Sequence, residues 1–296
     1  MTLDLTGANT LLVTPFHADG SIDELSLRRL IDHVIEGGAR GVILLGSTGE
    51  FFCLTHDERI RVTRAGIAHV AGRVPVTVGV GSDGTAETIE LTATAENAGA
   101  DCVMVIPPIY FDSSADPQIA HYTAVAASTT LDVMLYDGSN GIRLTAPVLE
   151  QASRQAPNIK YAKIATADPT LFRIFREAAP SITTIVGEDM MLFQGLRAGG
   201  RGSATAIGNI LPRQIAALHR AHENGDAEEA YRIATWLSPV TMFLSVPKGG
   251  FIAKFKHILA LEGIIESDRV RAPLLPLTVE GRAEIVQDVL PLLARG

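Results

Sequence analysis

Two cysteines, Cys53 and Cys102, are too few for a disulfide framework and lack the paired spacing of a zinc site. Both read as small core residues. The eight histidines include no HExxH or comparable ligand spacing, so no metal centre is expected. No apolar stretch approaches the roughly 18 residues of a membrane span. Met1 to Leu12 carries no basic segment followed by an apolar one, so the expectation is a cytoplasmic protein that nothing targets or anchors. Cations are also scarce: 25 Lys and Arg against 33 Asp and Glu leave a formal charge of −8. That balance excludes a nucleic acid or an acidic membrane as the expected partner, since affinity for either rests on clustered Lys and Arg. No low-complexity linker interrupts the chain.

What the chain does have is enough apolar material for a large core, 47% of residues against 20% charged. It falls into short apolar runs at Thr10 to Val13, Gly41 to Leu45, Val74 to Val80, Cys102 to Ile106, Asp132 to Tyr136, Ile159 to Ile164, Thr183 to Val186 and Gly202 to Ala206. Between them lie amphipathic stretches such as Leu27, Leu30, Ile31, Val34 and Ile35, spaced as one buried helix face. Start signals agree. Ser21 with Glu24 and Thr55 with Glu58 read as capping boxes, and Asp116-Pro117 and Asp168-Pro169 each place an N-cap before a first-turn proline. Strands apolar along their length suit a parallel sheet covered on both faces, and eight is the number that closes into a barrel. The predicted fold is an α/β protein, a TIM (β/α)8 barrel over residues 1–224. A helical C-terminal domain follows over 225–296, ending in a helix near Val279 to Leu293 after the breaks at Pro273 and Pro276. Barrels with such appendages often use them for subunit contacts, so an oligomer is expected.

In such a barrel the chemistry sits at the C-terminal strand ends. There the sequence places Thr14-Pro15-Phe16, Gly46-Ser47-Thr48-Gly49-Glu50, Tyr110, Tyr136-Asp137, Lys163, Gly187-Glu188-Asp189 and Thr205-Ala206. Lys163 is the most telling, because it interrupts a run that otherwise reads as a buried strand. A lysine in a core must snorkel out, find an anion or lose its charge, and desolvation favours the nucleophilic free amine. It is therefore a candidate Schiff-base former. The alternative is a structural lysine paired with a carboxylate at the strand end, and the residue alone does not choose. Tyr136, on the neighbouring strand, is positioned to move protons. The glycines around Ser47 and Thr48 would let backbone N–H groups and two hydroxyls approach a carboxylate. Gly187, Asp189, Thr205 and Ala206 are the remaining candidates for substrate contact. Each also has a plain structural use: Tyr136 as a core cap, the glycines as turns.

Gly79-Val80-Gly81-Ser82-Asp83-Gly84 matches GxGxxG, but the next strand ends without the acidic residue that would hold a ribose, so these glycines read as a chain turn. Gly199-Gly200-Arg201-Gly202 precedes the eighth strand and reads as a tight turn into it.

From Thr14-Pro15-Phe16 through Gly46-Ser47-Thr48-Gly49-Glu50, Leu135-Tyr136 and Lys163 to Arg271-Ala272-Pro273-Leu274-Leu275-Pro276-Leu277, the chain resembles the dihydrodipicolinate synthase and N-acetylneuraminate lyase family of class I aldolases. The resemblance implies that a 2-oxo acid such as pyruvate is held as an imine on Lys163, with no separate cofactor. It makes Tyr136 the proton-transfer tyrosine, Ser47 the relay hydroxyl and Thr48 a carboxylate contact. Tyr110 would reach into a neighbouring subunit's site, within a tetramer or at least a dimer. The segment Tyr136-Asp137-Gly138-Ser139-Asn140-Gly141-Ile142-Arg143 departs from the family's Asn-x-Pro pattern and has no arginine at the matching place. Arg143 substitutes only if the loop folds back, and an acidic Asp137 at the mouth would disfavour an anionic second substrate. A lysine-pathway synthase is therefore not expected. Ile164 after Lys163 is similar to some sugar-acid dehydratases. Asp189 matches a polyol contact of the sialic-acid lyases while Met190 and Ala206 do not, which favours a short keto acid. The reading is a Schiff-base lyase, either an aldolase of pyruvate or a 2-keto-3-deoxy sugar-acid dehydratase. A catalytically silent pyruvate-binding barrel is the alternative of another class.

Overall fold

The computed structural model describes residues 3–108, 114–137, 143–245 and 250–293. Eight parallel strands close into one barrel in sequence order, β1 pairing with both β2 and β8. They are β1 (Gly7–Leu11), β2 (Gly41–Leu44), β3 (Val76–Gly79), β4 (Cys102–Val105), β5 (Asp132–Tyr136), β6 (Ile159–Ile164), β7 (Thr183–Val186) and β8 (Gly202–Thr205). Outside them lie α1 (Glu24–Glu36), α2 (His56–Val70), α3 (Thr85–Ala98), α4 (Ala115–Ala127), α5 (Ala146–Gln155), α6 (Thr170–Ala178), α7 (Leu192–Arg197) and α8 (Pro212–Glu223). The expected (β/α)8 barrel is the fold, and a helical segment follows it. That segment holds α9 (Ala227–Ser245), α10 (Phe251–Leu261), α11 (Val279–Glu284) and, after a π-helical turn, α12 (Leu290–Leu293).

The strands are buried on both faces because their two faces feed two cores. Residues such as Leu27, Leu30, Val42, Val103, Leu135 and Ile164 form the layer between barrel and helices. Leu11, Ile43, Met104, Met134, Tyr161 and Ile185 fill the lumen. This double burial explains why the runs are continuously apolar rather than alternating. No helix among the described residues is long and apolar enough to cross a membrane.

Several local expectations shift. β1 spans Gly7–Leu11 rather than 10–13, because its pairing with β8 begins at Gly7 and the Val13 N–H leaves the sheet for Asn209 Oδ1, 3.2 Å away. Ser21 does not cap α1. Its N–H and hydroxyl both donate to Asp19, and Asp23 takes the cap by accepting from the Ser26 N–H. The Thr55–Glu58 capping box is present in both directions. α4 starts two residues earlier than expected, with Ser114 at the cap and Asp116 inside. At α6 Pro169 itself occupies the cap, while the Asp168 carboxylate accepts from the Thr170 N–H and hydroxyl. Cys102 is a core residue, but Cys53 is only half buried, with its thiol directed at the Arg271 carbonyl and its pKa pushed up to about 11 by burial.

Asn209 closes the barrel at its mouth. Fully buried, it donates to the carbonyls of Leu11 (2.8 Å) and Ala206 (2.7 Å) and accepts from Val13, tying the ends of β1 and β8. Asn209→Ala would strand these groups in the core, and the expected cost is about 3 kcal/mol. Thr55→Ala, which removes one exposed cap, should cost about 1 kcal/mol. Urea unfolding checks both, and equal losses would mean that Asn209 is not the closure clamp.

Candidate active site

One irregularity places the central side chain. Between β5 and β6 the pairing runs Val133 with Ile159, then Met134 with Tyr161, so Lys160 is an extra residue on the β6 side. A bulge of this kind leaves the skipped residue unpaired and re-aims those after it. Lys160 is exposed. From there alternation sends Tyr161, Lys163 and Ala165 toward the lumen and Ala162 and Ile164 toward the helices. Lys163 is then directly in register with Tyr136. The lysine is 2% exposed and the tyrosine 5%, and the Lys163 Nζ stands 4.0 Å from the centre of the Tyr136 ring. Among the described residues no carboxylate lies within ion-pair distance of Lys163. This sets it apart from a structural lysine bound to an anion.

The β7 side leaves room for it. The Gly187 N–H bonds to the Ile164 carbonyl at 2.8 Å, and a Cβ on Gly187 would come within 2.8 Å of both Cγ and Cε of Lys163. Only glycine lets the lysine stem lie across this strand end.

The β2 end is a strained turn. Leu45 and Glu50 both adopt left-handed backbone, φ 56° and 57°, although neither is glycine. Each such residue costs about 1–2 kcal/mol, and strain of this kind collects at binding sites. Between them Ser47–Gly49 forms a single 3-10 turn, and the Thr14 hydroxyl fixes it by donating to the Gly49 carbonyl at 2.6 Å. Thr48 is buried and Ser47 half buried. Among the described residues no hydrogen bond ties up either hydroxyl.

Glu50 anchors this turn to the C-terminal segment. Its carboxylate bonds the Lys256 ammonium of α10 and accepts from the Arg271 N–H at 2.9 Å, and both charged side chains of the ion pair are fully buried. Burial pushes Lys256 down to about 8, with the Glu50 charge opposing. Arg271 pairs with both oxygens of Glu58 at 2.6 Å and reaches the Gly20 carbonyl. Reading strand ends missed Lys256, which lies far along the chain. Its signal was present in the two lysines that interrupt the apolar helix Phe251-Ile252-Ala253-Lys254-Phe255-Lys256.

At the β7 and β8 ends Asp189 Oδ1 accepts from the Ile207 N–H at 3.0 Å. Surrounding protein, with the Glu188 charge in addition, pushes this carboxyl up to about 7, even though part of its surface remains open. Ala206 is buried in the helix-side core. Thr205 is not brought to Lys163. Ser203 meets His219 of α8 at 2.8 Å on the helix side, Thr205 shares that side by alternation, and the lumen residue is Ala204.

Asp137 departs from its expected place at the mouth. It is buried, accepts from the Ala165 N–H at 2.9 Å, and pairs with the Arg143 guanidinium at 3.0 Å. Burial pushes its carboxyl up, while Ala165 and Arg143 oppose. The side chain that was to repel anions is therefore turned inward and covered. Tyr110 lies outside the described residues.

Two of the three GxGxxG glycines, Gly79 and Gly81, are packing sites, while Gly84 has open space beside it. A Cβ on Gly79 would strike the Leu45 carbonyl, one on Gly81 would strike Ile106, and the Arg59 guanidinium donates to the Gly81 carbonyl at 2.9 Å. The turn into β8 is held by the Gly200 N–H on the Gly195 carbonyl.

A lumen lysine over a tyrosine, framed by a strained hydroxyl turn, is thus the assembled site. The family model described as the dihydrodipicolinate synthetase family matches residues 4–290. The chain belongs to this family. It is accordingly a lyase of the family's aldolase kind. It is 31% identical over 281 residues to the 4-hydroxy-tetrahydrodipicolinate synthase of Pelobacter propionicus, covering 94% of this chain and 96% of that one. A prophage protein of E. coli K12, placed in the dihydrodipicolinic acid synthase family and solved in complex with pyruvate, superposes with a TM-score of 0.92 at 33% identity, over 97% and 98% of the two chains. A putative dihydrodipicolinate synthetase from Pseudomonas aeruginosa gives 0.93 at 29%, over 98% and 100%.

Asp189 yields a pH test within this family framework. Its folded value of about 7 lies above the ordinary 3.8, so the folded chain keeps a proton that the unfolded chain releases. Between about pH 4 and 7 this makes stability fall as pH rises. Asp189→Asn removes the dependence, so the Tm difference, variant minus wild type, should grow from about pH 4 to 7 and level off above that. A flat difference would mean that the carboxyl is ionised throughout.

Proposed function

We propose that the chain is a Schiff-base-forming lyase of pyruvate or another short 2-oxo acid, and not a lysine-pathway synthase. The observation that carries this reading is the buried Lys163 side chain, 2% exposed with its Nζ 4.0 Å over the Tyr136 ring, with no carboxylate partner among the described residues. The amine attacks the keto carbon to give a carbinolamine, and loss of water gives an iminium that draws electrons from the adjoining C–C or C–H bond. The Tyr136 phenol carries the protons of carbinolamine collapse. The Gly46–Gly49 turn, with Ser47 and Thr48, receives the substrate carboxylate. The imine is the only covalent chemistry invoked, so neither a metal nor a cofactor takes part. The pyruvate complex of the E. coli relative, at 33% identity, supports the choice of keto acid.

Two observations bear on the second substrate. Arg143, near the β5 end, is held by Asp137, which supports a partner other than an anionic semialdehyde. Asp189, with a carboxyl that titrates near neutrality at the β7 end, supports the dehydratase reading, because expulsion of a hydroxyl needs a proton donor. A coupled assay separates the two, scoring release of free pyruvate against consumption of a 2-keto-3-deoxy sugar acid. We place the enzyme in the cytoplasm as a tetramer, or at least a dimer sharing Tyr110, which sedimentation of the purified protein tests.

Borohydride reduction in the presence of pyruvate, followed by peptide mapping, should leave a reduced adduct on Lys163. Lys163→Ala should lose it and Lys160→Ala should retain it, and equal loss in both would move the nucleophile elsewhere. Trapping of another 2-oxo acid instead would change the substrate, and trapping of none would leave a silent barrel. Tyr136→Phe should fold normally and slow imine formation by about 10²-fold or more. Gly187→Ala, whose Cβ collides with the Lys163 stem, should reduce trapping comparably, and wild-type rates in either variant would remove that residue from the mechanism.

A further inference from the structure

The C-terminal helical segment is joined to the substrate turn through one side chain. Glu50 sits between two 3-10 turns, Ser47–Gly49 before it and Phe51–Cys53 after it. Its N–H bonds back to the Ser47 carbonyl at 3.1 Å, and its own carbonyl accepts from Cys53 at 2.8 Å. The orientation of both turns therefore depends on the backbone angles of residue 50. Those angles, φ 57° and ψ 32°, are unfavourable for any residue with a Cβ. Something outside the turn must hold them.

That hold comes from the carboxylate. One oxygen takes the Lys256 ammonium and the other the Arg271 N–H, so the side chain is gripped by two separate pieces of the C-terminal segment. Lys256 is fixed in turn by the Arg269 carbonyl at 2.9 Å and the Phe16 ring at 4.0 Å. The Arg271 guanidinium covers the same ring at 4.5 Å. Phe16 follows Thr14, whose hydroxyl braces Gly49. The loops after β1 and β2 are thereby clamped onto α10 and the stretch at Arg269 to Arg271 behind it.

We propose that Glu50 is a positioning residue which, gripped by Lys256 and Arg271, holds the Gly46–Gly49 turn in the shape that accepts the substrate carboxylate. The inference rests on the imine reading for its substrate, but not for the anchoring itself. Its consequence is specific. A buried ion pair that served stability alone can be replaced by neutral groups of similar volume with little loss. A pair that also sets the turn regains its stability in this way but not the turn, because the strained angle is released once the ion pair is gone.

The test uses full-length Glu50→Gln, Lys256→Met and the double variant. Each single change leaves an uncompensated buried group and should lower Tm, and the double variant should recover most of that loss. Pyruvate titration of borohydride trapping should show the half-saturating concentration raised about tenfold or more in Glu50→Gln and still raised in the double variant. The maximal trapping rate should stay within about threefold of wild type, since the Lys163–Tyr136 pair is untouched. Peptides covering residues 45–54 should exchange amide hydrogens faster in both. A double variant that recovers stability and has wild-type half-saturation and wild-type exchange would overturn the proposal and leave the pair a structural brace. If the single variants do not fold, the double variant alone decides. Should wild type trap no 2-oxo acid, the imine reading fails by itself, and hydrogen exchange decides whether Glu50 holds the turn.

Discussion

The site depends on a register. Parallel pairing gives each strand one lumen face and one helix face, and a strand that slips by one residue exchanges the two sets. β6 takes one extra residue, Lys160, against β5, and that bulge decides which of its two lysines enters the barrel. With it, Lys163 is in line with Tyr136 and lies across Gly187, while Lys160 faces solvent. The outward set, Ala162 and Ile164, packs with the helices, so the same bulge also satisfies the core. Burial of the outward apolar residues thus holds the inward ammonium in place.

Among the buried lysines, Lys163 and Lys256 are treated differently. Lys256 has a carboxylate, a carbonyl and an aromatic ring around its ammonium. That is the shell a buried charge needs when its task is to hold other groups. Lys163 has the face of a phenol and no carboxylate at ion-pair distance among the described residues. The proposed nucleophile is thus left uncommitted to an anion, with an aromatic face beside its Nζ. The two environments fit Lys256 to the scaffold and leave Lys163 available for the chemistry proposed for it.

The residues around them follow the same division. Asp137 spends its carboxylate on Ala165 and Arg143, stitching β5 to the end of β6. Asp189 spends one oxygen on Ile207 and remains close enough to neutral to lend a proton. The strand ends on either side of β6 therefore hold acids with different neighbours, the Arg143 guanidinium at Asp137 and the Glu188 charge at Asp189.

Much of this architecture follows from the sequence because its cause is local. The eight apolar runs mark strands since both faces of each are buried, and the amphipathic stretch from Leu27 to Val34 marks a helix since one stripe is. A lysine inside such a run announces itself for the same reason. Other features depend on which distant residues meet. Glu50 and Lys256 are 206 positions apart, and nothing near either one names the other. Arg143 turns onto Asp137, and Thr205 lies on the helix side rather than in the lumen, because the register of the closed barrel sets the side each residue occupies. Asp23 displaces Ser21 as the cap of α1 because Asp19 captures the Ser21 hydroxyl first. The chain alone determined the elements and the unusual lysine, since period and burial are written along it. Tertiary structure decided which partners satisfy each polar group, since a hydrogen bond depends on distance in space and not on distance in sequence.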